Sequence, residues 1–210
     1  MARQVLDRKV AKALKHLAVA DARLAAIIKS VGKYEIELRR DPFQSLVEAI
    51  IYQQLAGSAA DAIYGRFVKI YGRFPRSPQL LATRDSRLRA AGLSARKIEY
   101  LKDLASRVSD GRLKLRLLAE MEDEHVVEQL DQVKGIGRWT AEMFLIFCLG
   151  RPDVLPVGDL GLRKAMQKTY SLAELPSPEN MRNIAQPWKP YCSIATWYLW
   201  KSLDKFKGIG

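Results

Sequence analysis

Apolar residues recur at three- and four-residue spacing along most of the chain, which is the spacing of one face of an α-helix. This pattern predicts two short amphipathic helices at residues 3–17 and 20–31, and another that begins at Pro42. The most apolar stretch, residues 139–149, predicts a buried helix. Because no stretch shows the apolar–polar alternation of a half-buried strand, the chain is predicted to be all-α, with short loops between helices.

Chain length limits the number of domains, and net charge indicates the class of binding partner. The 210 residues suffice for one domain or two tightly joined lobes. A net charge of +12, from 35 Lys and Arg against 23 Asp and Glu, favours a polyanion such as nucleic acid. A generically basic soluble protein is the alternative reading. No apolar stretch is long enough to cross a membrane and no signal-type segment opens the chain, so a cytoplasmic and, in a bacterium, nucleoid-associated protein is expected.

Two glycines bracket one isoleucine between a predicted helix ending near Leu130 and the apolar helix that follows. Glycine permits tight turns and lets a second molecule approach the backbone closely. The amides at the start of the second helix lack helical partners and lie at its positive end, which suits a phosphate. A plain turn between helices is the alternative. The segment reads Val133-Lys134-Gly135-Ile136-Gly137-Arg138-Trp139-Thr140-Ala141.

Asp159 follows an extended stretch and precedes a predicted helix that ends near Tyr170. Its simplest role is to cap that helix. A carboxylate at a helix N-terminus also keeps its negative charge, which suits a reaction that builds positive charge on a sugar, as in glycosidic cleavage. The two roles are compatible.

Two further features fit the same chemistry less specifically. Aromatic residues follow the glycine turn at Trp139 and crowd the C-terminal region around Trp197, where they either pack a core or stack on an unpaired base. Gln53, Gln54 and Leu55 lie between two apolar helices, where they either connect helices or form a wedge that fills a gap in a duplex.

Taken with these residues, the chain resembles the helix–hairpin–helix DNA glycosylase superfamily, and within it the alkylation-repair branch of the 3-methyladenine DNA glycosylase II type. The resemblance covers about residues 40–205, and its most specific parts are residues 133–143 and 155–161. It implies two helical lobes with a DNA-binding cleft between them. Residues 42–155 would form a helical-barrel lobe with the hairpin, and residues 1–41 with 156–210 would complete the cleft.

The resemblance also implies roles for individual residues. Asp159 would be the catalytic aspartate. The other implied roles fall into three sets: Trp139, Met143 and Trp197 line the base pocket; Gln53, Gln54, Leu55, Lys134, Gly135, Gly137 and Arg138 bind DNA; and the main-chain carbonyls of Asp131, Val133 and Ile136 hold a monovalent or other metal ion.

The departures from the family pattern are informative. Bifunctional relatives place a lysine nucleophile where Trp139 stands, so a monofunctional hydrolase without lyase activity is expected. Cys148 and Cys192 are the two cysteines, too few for an iron–sulfur cluster, and no cofactor is expected to be required. Lys134 replaces the usual proline of the hairpin and adds a positive charge.

We therefore expect a monomeric enzyme that flips alkylated bases, of the 3-methyladenine and 7-methylguanine type, out of damaged double-stranded DNA and releases them in base excision repair. Two alternatives stay open. One is a glycosylase for deaminated, mismatched or oxidised bases. The other is a non-catalytic helix–hairpin–helix module, which would give no reason for Asp159 and Trp139 to occur together.

Overall fold

In the computed structural model, which describes residues 2–39 and 41–203, the all-α prediction is confirmed: these residues form helices and connecting loops without a strand. The chain divides into two compact units. Unit 1 comprises the described residues up to Glu37 and from Gly150 onward, and unit 2 runs from Leu38 to Leu149. The sequence placed the lobe boundaries at 41/42 and 155/156. No helix in the described part of the chain combines the length and apolarity needed to span a membrane.

Unit 1 is built from five α-helices and a short 3-10 turn at Gln186–Trp188. The α-helices are α1 (Ala2–Ala20), α2 (Ala22–Val31), α10 (Leu160–Tyr170), α11 (Pro178–Ala185) and α12 (Cys192–Lys201). Helix α12 is buried from Cys192 to Trp200, so it forms the centre of this unit. The aromatic residues of the C-terminal region are therefore mainly core residues: Trp188, Tyr198 and Trp200 are at most 1% exposed.

Asp21 ties three parts of unit 1 together. One carboxylate oxygen caps α2 by accepting from the amides of Arg23 and Leu24. The other accepts from the Tyr170 hydroxyl and, at 3.1 Å, from the indole N–H of Trp188. Burial of Asp21 would raise its pKa, but the hydrogen bonds from Tyr170, Trp188 and the backbone outweigh burial and lower it. Asp21 therefore stays ionised and joins α2, α10 and the 3-10 turn.

Unit 2 contains seven α-helices and a 3-10 helix at Leu115–Glu120. The α-helices are α3 (Pro42–Tyr52), α4 (Gly57–Lys69), α5 (Ser77–Ala82), α6 (Asp85–Ala90), α7 (Ala95–Ser109), α8 (Asp123–Asp131) and α9 (Arg138–Phe147). Helix α3 begins where Asp41 caps it by accepting from the Gln44 amide at 3.0 Å, with Pro42 in its first turn. Helix α9 is buried from Thr140 to Ile146, as its apolar sequence predicted.

Candidate functional site

The glycine turn between α8 and α9 is a hairpin whose apolar residues point inward and whose polar residues point outward. Val133 and Ile136 are 1% and 3% exposed, so they anchor the hairpin in unit 2. Lys134, Gly137 and Arg138 are exposed. The hairpin therefore presents its backbone and two cationic side chains to solvent, as a phosphate-binding turn requires.

Glycine is suited to positions 135 and 137 for different structural reasons. Gly135 has φ +80°, and a Cβ at this position would lie 2.0 Å from the Tyr100 ring, so no other residue fits. Gly137 has an ordinary φ of −104° and open space around it. As the N-cap of α9 it has no side chain to cap the first amides of the helix. Gly135 thus shapes the turn, and Gly137 brings no capping side chain to the start of α9, where the helix dipole favours negative charge.

Helix α7 contacts the hairpin, and no local pattern in the sequence predicted this contact. Tyr100 packs against Gly135, and one carboxylate oxygen of Asp103 accepts from the Lys134 amide at 2.9 Å. The Lys134 ammonium pairs with Glu99 on the same helix at 2.6 Å. An apolar helix face predicts burial and a charged face predicts exposure. Neither pattern identifies a turn, distant in the sequence, that the face will contact.

Both cations predicted to bind phosphate have carboxylate partners within unit 2. Lys134 pairs with Glu99, and Arg138 forms a bidentate pair with Glu124. Hydrogen bonding to these acids raises the pKa of Lys134 and of Arg138, so both stay positively charged. Since both pairs are exposed and screened by water, a phosphate can replace either carboxylate at low cost.

The loop between α3 and α4 is joined to the hairpin by a side chain. The amide nitrogen Nε2 of Gln53 donates to the Gly135 carbonyl at 2.7 Å. Gln54 has φ +57°, an unusual value for a residue with a side chain, and it is exposed beside Leu55, which is 38% exposed. The three residues were predicted to bind DNA as a set, but here Gln53 faces the hairpin while Gln54 and Leu55 face solvent.

The predicted base-pocket residues differ in how much surface they present. Trp139, in the first turn of α9, is 40% exposed, and Met143 one turn later is 8% exposed. Trp197 on α12 is 4% exposed. Its ring meets Tyr34 and Tyr198 edge-on, with centroids 4.8 and 4.9 Å away. Trp139 is therefore the indole with surface available for stacking, whereas Trp197 is packed mainly against its own unit.

The carbonyls predicted to hold a metal ion lie at the end of α8 and in the hairpin. The Val133 carbonyl accepts from the Ile136 amide at 3.0 Å, which leaves it one lone pair. Within the described residues, no backbone amide donates to the carbonyl of Asp131 or Ile136. Each of the three oxygens therefore keeps at least one lone pair that no backbone amide uses. Outside this backbone set, the described residues hold no group of three or more His, Cys, Asp or Glu able to bind a metal.

Asp159 is the N-cap of α10 and is held from two sides. Its Oδ1 accepts from the Leu162 amide at 2.6 Å and from the indole N–H of Trp200 at 2.9 Å. Asp159 is half-buried, and the neighbouring Leu160 is 51% exposed. Capping and catalysis are thus compatible, because the bonds to Oδ1 fix the orientation of a carboxylate that reaches the surface of unit 1.

Helix α12 also fixes the extended stretch that leads to Asp159. The Ser193 amide donates to the Pro152 carbonyl at 2.9 Å, and the Val154 amide donates to the Ser193 hydroxyl at 2.9 Å. One oxygen of Asp153 accepts from the Cys192 amide at 3.1 Å, so it satisfies the N-terminus of α12. The stretch is held at its start by the first turn of α12 and at its end by Trp200.

Gly161 makes room for the contact between Trp200 and Asp159. A Cβ at this position would lie 3.1 Å from Oδ1 of Asp159 and 3.6 Å from the Trp200 ring. Sequence reasoning singled out Asp159 but missed Trp200 and the reason for Gly161. The available signal was that a buried indole N–H needs an acceptor, but the sequence does not say which acceptor that is.

Cys148 and Cys192 are free thiols. Burial raises the pKa of Cys148 to about 11 and that of Cys192 further still, so both stay protonated and unreactive near neutral pH.

The hairpin, its open helix end and the exposed cations define a helix–hairpin–helix protein that binds DNA. Residues 47–190 match the HhH-GPD superfamily of base excision DNA repair proteins, and the chain belongs to that family.

Named relatives agree with this class. The chain is 36% identical over 197 residues to DNA-3-methyladenine glycosylase 1 of Schizosaccharomyces pombe, covering 91% of this chain and 86% of that protein. A solved structure of the 3-methyladenine DNA glycosylase Mag1 of that yeast, in complex with abasic DNA, has a TM-score of 0.82 at 36% identity and covers 91% of this chain and 96% of the other. A DNA-3-methyladenine glycosidase from Bacillus halodurans has a TM-score of 0.84 at 40% identity and covers 92% and 90%. The protein is therefore a DNA repair enzyme of the glycosylase class.

Proposed function

We propose that this enzyme hydrolyses the N-glycosidic bond between deoxyribose and an alkylated base, of the 3-methyladenine or 7-methylguanine type, in damaged double-stranded DNA. The observation that carries the proposal is the Asp159 carboxylate, oriented by the Trp200 indole and the Leu162 amide at the start of α10. The similarity to DNA-3-methyladenine glycosylases supports the choice of substrate.

In the proposed reaction Asp159 acts on the sugar and on water. As the bond from the base nitrogen to C1′ breaks, the base leaves with the bonding electrons and the sugar becomes oxocarbenium-like. The Asp159 carboxylate stabilises this positive charge and orients the attacking water, whose oxygen bonds to C1′ and whose proton passes to the carboxylate or to solvent. Because Oδ1 is already held by two donors, little reorientation is needed during the reaction.

The leaving base needs little help if it is cationic. An N3- or N7-alkylated purine carries positive charge and departs as a neutral molecule, so no general acid is required. The histidines fit this view. His16 contacts the Pro187 carbonyl at 3.0 Å, and His125 lies exposed on α8. The half-exposed Trp139 offers an electron-rich face that would stack on a flipped cationic base, with Met143 and Trp197 as further pocket residues.

Unit 2 would position the DNA. The open N-terminus of α9 would bind a phosphate, with Lys134 and Arg138 exchanging their carboxylate partners for the DNA backbone. Gln54 and Leu55 would enter the gap that the flipped nucleotide leaves. The carbonyls of Asp131, Val133 and Ile136 would hold a monovalent cation, which would supply positive charge near the bound phosphate. One protein molecule would act on each lesion.

The decisive experiment measures release of free base from a panel of alkylated, deaminated and oxidised duplexes by the wild type and by Asp159→Asn. We expect methylated purines to be released fastest and Asp159→Asn to release no base while it still folds and binds lesion DNA. Asp153→Asn is a matched control, because Asp153 also caps a helix in unit 1. It should excise bases at the wild-type rate.

Three outcomes would contradict the proposal. Base release by Asp159→Asn at the wild-type rate would remove Asp159 from the chemistry. Equal rates on hypoxanthine and on methylated purines would overturn the dependence on a cationic leaving base. Preferential release of oxidised or mismatched bases would show that the enzyme acts on another class of substrate.

The absence of lyase activity is also a proposal, and it has its own test. A lysine nucleophile forms a Schiff base with the sugar that borohydride reduces to a stable protein–DNA adduct. Because Trp139 occupies the matching position, we expect no adduct on duplexes from which the base has been released. An adduct trapped in proportion to base release would show that another amine of the chain acts as nucleophile.

A further inference from the structure

A dense group of cations lies in unit 2 outside the hairpin and the loop that precedes α4. Between residues 66 and 96 the chain has eight Lys or Arg and one acid, Asp85. We call six of these cations, at the last turn of α4 and on and around α6, the basic end. Its members are Arg66, Lys69, Arg73, Arg84, Arg87 and Arg89, all of them exposed.

Hydrogen bonds bring the two helices of the basic end together. Nε of Arg66 donates to the Ala91 carbonyl at 2.9 Å, just beyond the end of α6. In return, Arg87 donates to the Ile70 carbonyl at 3.4 Å, just beyond the end of α4. On α4, Lys69 follows Arg66 by three residues, so the two side chains share a face; on α6, Arg87 and Arg89 are two residues apart and point in different directions. The basic end thus covers the last turn of α4 and the exposed sides of α6.

Links between the flanking loops bring in the other members. The Tyr71 hydroxyl lies 2.8 Å from Oγ1 of Thr83, and this contact links the two chain segments that carry Arg73 and Arg84. Arg84 is the N-cap residue of α6, but its side chain makes no capping bond. Its guanidinium is therefore not used by the helix it precedes.

No ion pair among the described side chains neutralises the positive charge of the basic end. Among residues 8–39 and 41–203, no carboxylate lies within ion-pair distance of any of the six side chains. Asp85, the acid in this stretch, lies 3.7 Å from Lys102 on α7. The negative ends of α4 and α6 favour one or two nearby cations, which leaves several of the six without a structural purpose.

The chemistry of the surface favours phosphate over an acidic protein. Five of the six side chains are arginines, whose planar guanidinium groups match phosphate oxygens in pairs. Protein interfaces centre on buried aromatic or aliphatic anchors. Of the exposed large apolar residues in the described part of the chain, only Leu81 is near the basic end in sequence. Many cations with few apolar anchors are typical of sequence-independent contact with a DNA backbone.

The position of the basic end separates it from the hairpin. The loop that Gln53 joins to the hairpin precedes the first residue of α4, and the basic end lies at the last turn of that helix. Lys69 is twelve residues after Gly57, which corresponds to about 18 Å along the helix axis. The basic end and the loop that contacts the hairpin are therefore at opposite ends of α4.

We propose that the basic end binds a second segment of DNA duplex while the hairpin holds the first. One protein molecule then bridges two duplexes and can pass from one to the other without full release. The inference goes beyond base release and does not require it, so the excision-inactive Asp159→Asn should bridge as well as the wild type.

The test is an energy-transfer assay between two short duplexes. A donor dye is placed on a duplex with an abasic-site analogue and an acceptor on an undamaged duplex, each of about 15 base pairs, or roughly 50 Å. We expect transfer to be highest near one protein per two duplexes. A maximum at two proteins per pair would assign bridging to a protein dimer and overturn the proposal, as would no transfer with the wild type.

Matched variants identify the surface. The basic-end variant keeps Arg66 and Arg87, which bond to the main chain, and carries Lys69→Gln, Arg73→Gln, Arg84→Gln and Arg89→Gln. The control removes the same charge from exposed lysines of unit 1 by Lys12→Gln, Lys15→Gln, Lys29→Gln and Lys168→Gln. We expect the basic-end variant to lose bridging at least fivefold and the control to keep it, with base release unchanged in both.

Salt dependence gives a second readout. Removing four phosphate contacts should lower the slope of log affinity for the second duplex against log salt by about 3 to 4. Equal bridging by the two variants would refute the proposal. A matching loss of affinity for a single duplex would place the basic end on the first duplex instead. A fall in melting temperature with bridging intact would assign these cations to the helix ends.

Discussion

The side-chain amide of Gln53 donates a 2.7 Å hydrogen bond to the carbonyl of Gly135, so the loop before α4 and the glycine hairpin are held together across 82 residues of sequence. The two features were identified separately in the sequence, each as a DNA-contacting element. Their connection means that a phosphate bound at the hairpin and a side chain inserted from the loop have a fixed separation within unit 2.

Gln53→Ala should weaken DNA binding without any direct contact between Gln53 and DNA. The lost bond contributes on the order of 1 kcal/mol, so we expect about a fivefold loss of affinity for lesion and undamaged duplexes alike. Gln53→Glu should weaken binding more, because a carboxylate cannot donate to the carbonyl and adds a negative charge beside the proposed phosphate site. Fluorescence anisotropy measures both.

Gln54→Ala is the matched variant for this prediction, since Gln54 faces solvent beside Gln53. It should reduce affinity for the lesion duplex more than for undamaged DNA, because it would act only once a gap has opened. If Gln53→Ala instead spared undamaged DNA, Gln53 itself would be the residue that enters the duplex.

The hairpin glycines provide a second pair of variants. Gly135→Ala combines a φ of +80° with a Cβ 2.0 Å from the Tyr100 ring. Strain and overpacking together should cost about 3 kcal/mol, which lowers the melting temperature by roughly 6–12 °C. Gly137→Ala adds a methyl group in open space at an ordinary φ, so it should keep its stability but bind DNA more weakly, because the methyl group lies where a phosphate approaches.

Calorimetry and a DNA-binding titration separate the two effects. A stable Gly135→Ala would show that the hairpin can take another shape. Full DNA affinity in Gly137→Ala would place the phosphate away from the start of α9.

The sequence predicted the fold and the hairpin well because both are local. Helical spacing of apolar residues indicates each helix, and two glycines after an amphipathic run indicate a turn. What it did not predict is how the hairpin is supported. Tyr100 and Asp103 lie about thirty residues away on an amphipathic helix. The sequence of such a helix predicts which face is buried but not which residues pack against that face.

Trp200 should be a positioning residue for Asp159 rather than only a core residue. Trp200→Phe keeps an aromatic ring but removes the donor to Oδ1, which is 2.9 Å away. With the carboxylate less firmly oriented, we expect the single-turnover rate of base release to fall at least tenfold, equivalent to about 1.4 kcal/mol of barrier.

Trp188→Phe is the control, because Trp188 is an equally buried indole of unit 1 that donates to a different carboxylate, that of Asp21. Both variants should lose about 1–3 kcal/mol of stability through a vacated hydrogen bond. Only Trp200→Phe should slow base release at a temperature where both are folded. Equal rates in the two variants would reduce Trp200 to a packing role.

The two bonds to Oδ1 of Asp159 differ in how well the sequence predicts them. Asp159 was recognisable because a carboxylate before a helix is a local signal, and its capping bond to Leu162 is confirmed. Trp200 was recognisable only as one of several aromatic residues in the C-terminal region. Its hydrogen bond to Asp159 joins residues 41 positions apart, so no local pattern indicates it. Which indole meets which acid depends on how α12 packs in unit 1, and hydrophobic spacing does not encode that choice.

Gly161→Ala should slow catalysis without lowering stability. Gly161 lies in the first turn of α10, where alanine is the better helix former by up to about 1 kcal/mol. Its new Cβ would lie 3.1 Å from Oδ1 of Asp159 and 3.6 Å from the Trp200 ring, so one of the two must move by a few tenths of an ångström. We expect an unchanged or higher melting temperature together with a several-fold slower release of base.

Gly158→Ala tests whether this effect is specific to the contact. Gly158 lies immediately before Asp159, whereas Gly161 lies two residues after it; Gly158 has no unusual φ and would place its Cβ in open space. It should excise bases at the wild-type rate. If both alanine variants were equally slow, backbone freedom around Asp159 would matter more than the space beside it. If neither were slow, the Asp159–Trp200 contact would have more room than the structure indicates, and the role assigned to Trp200 would weaken with it.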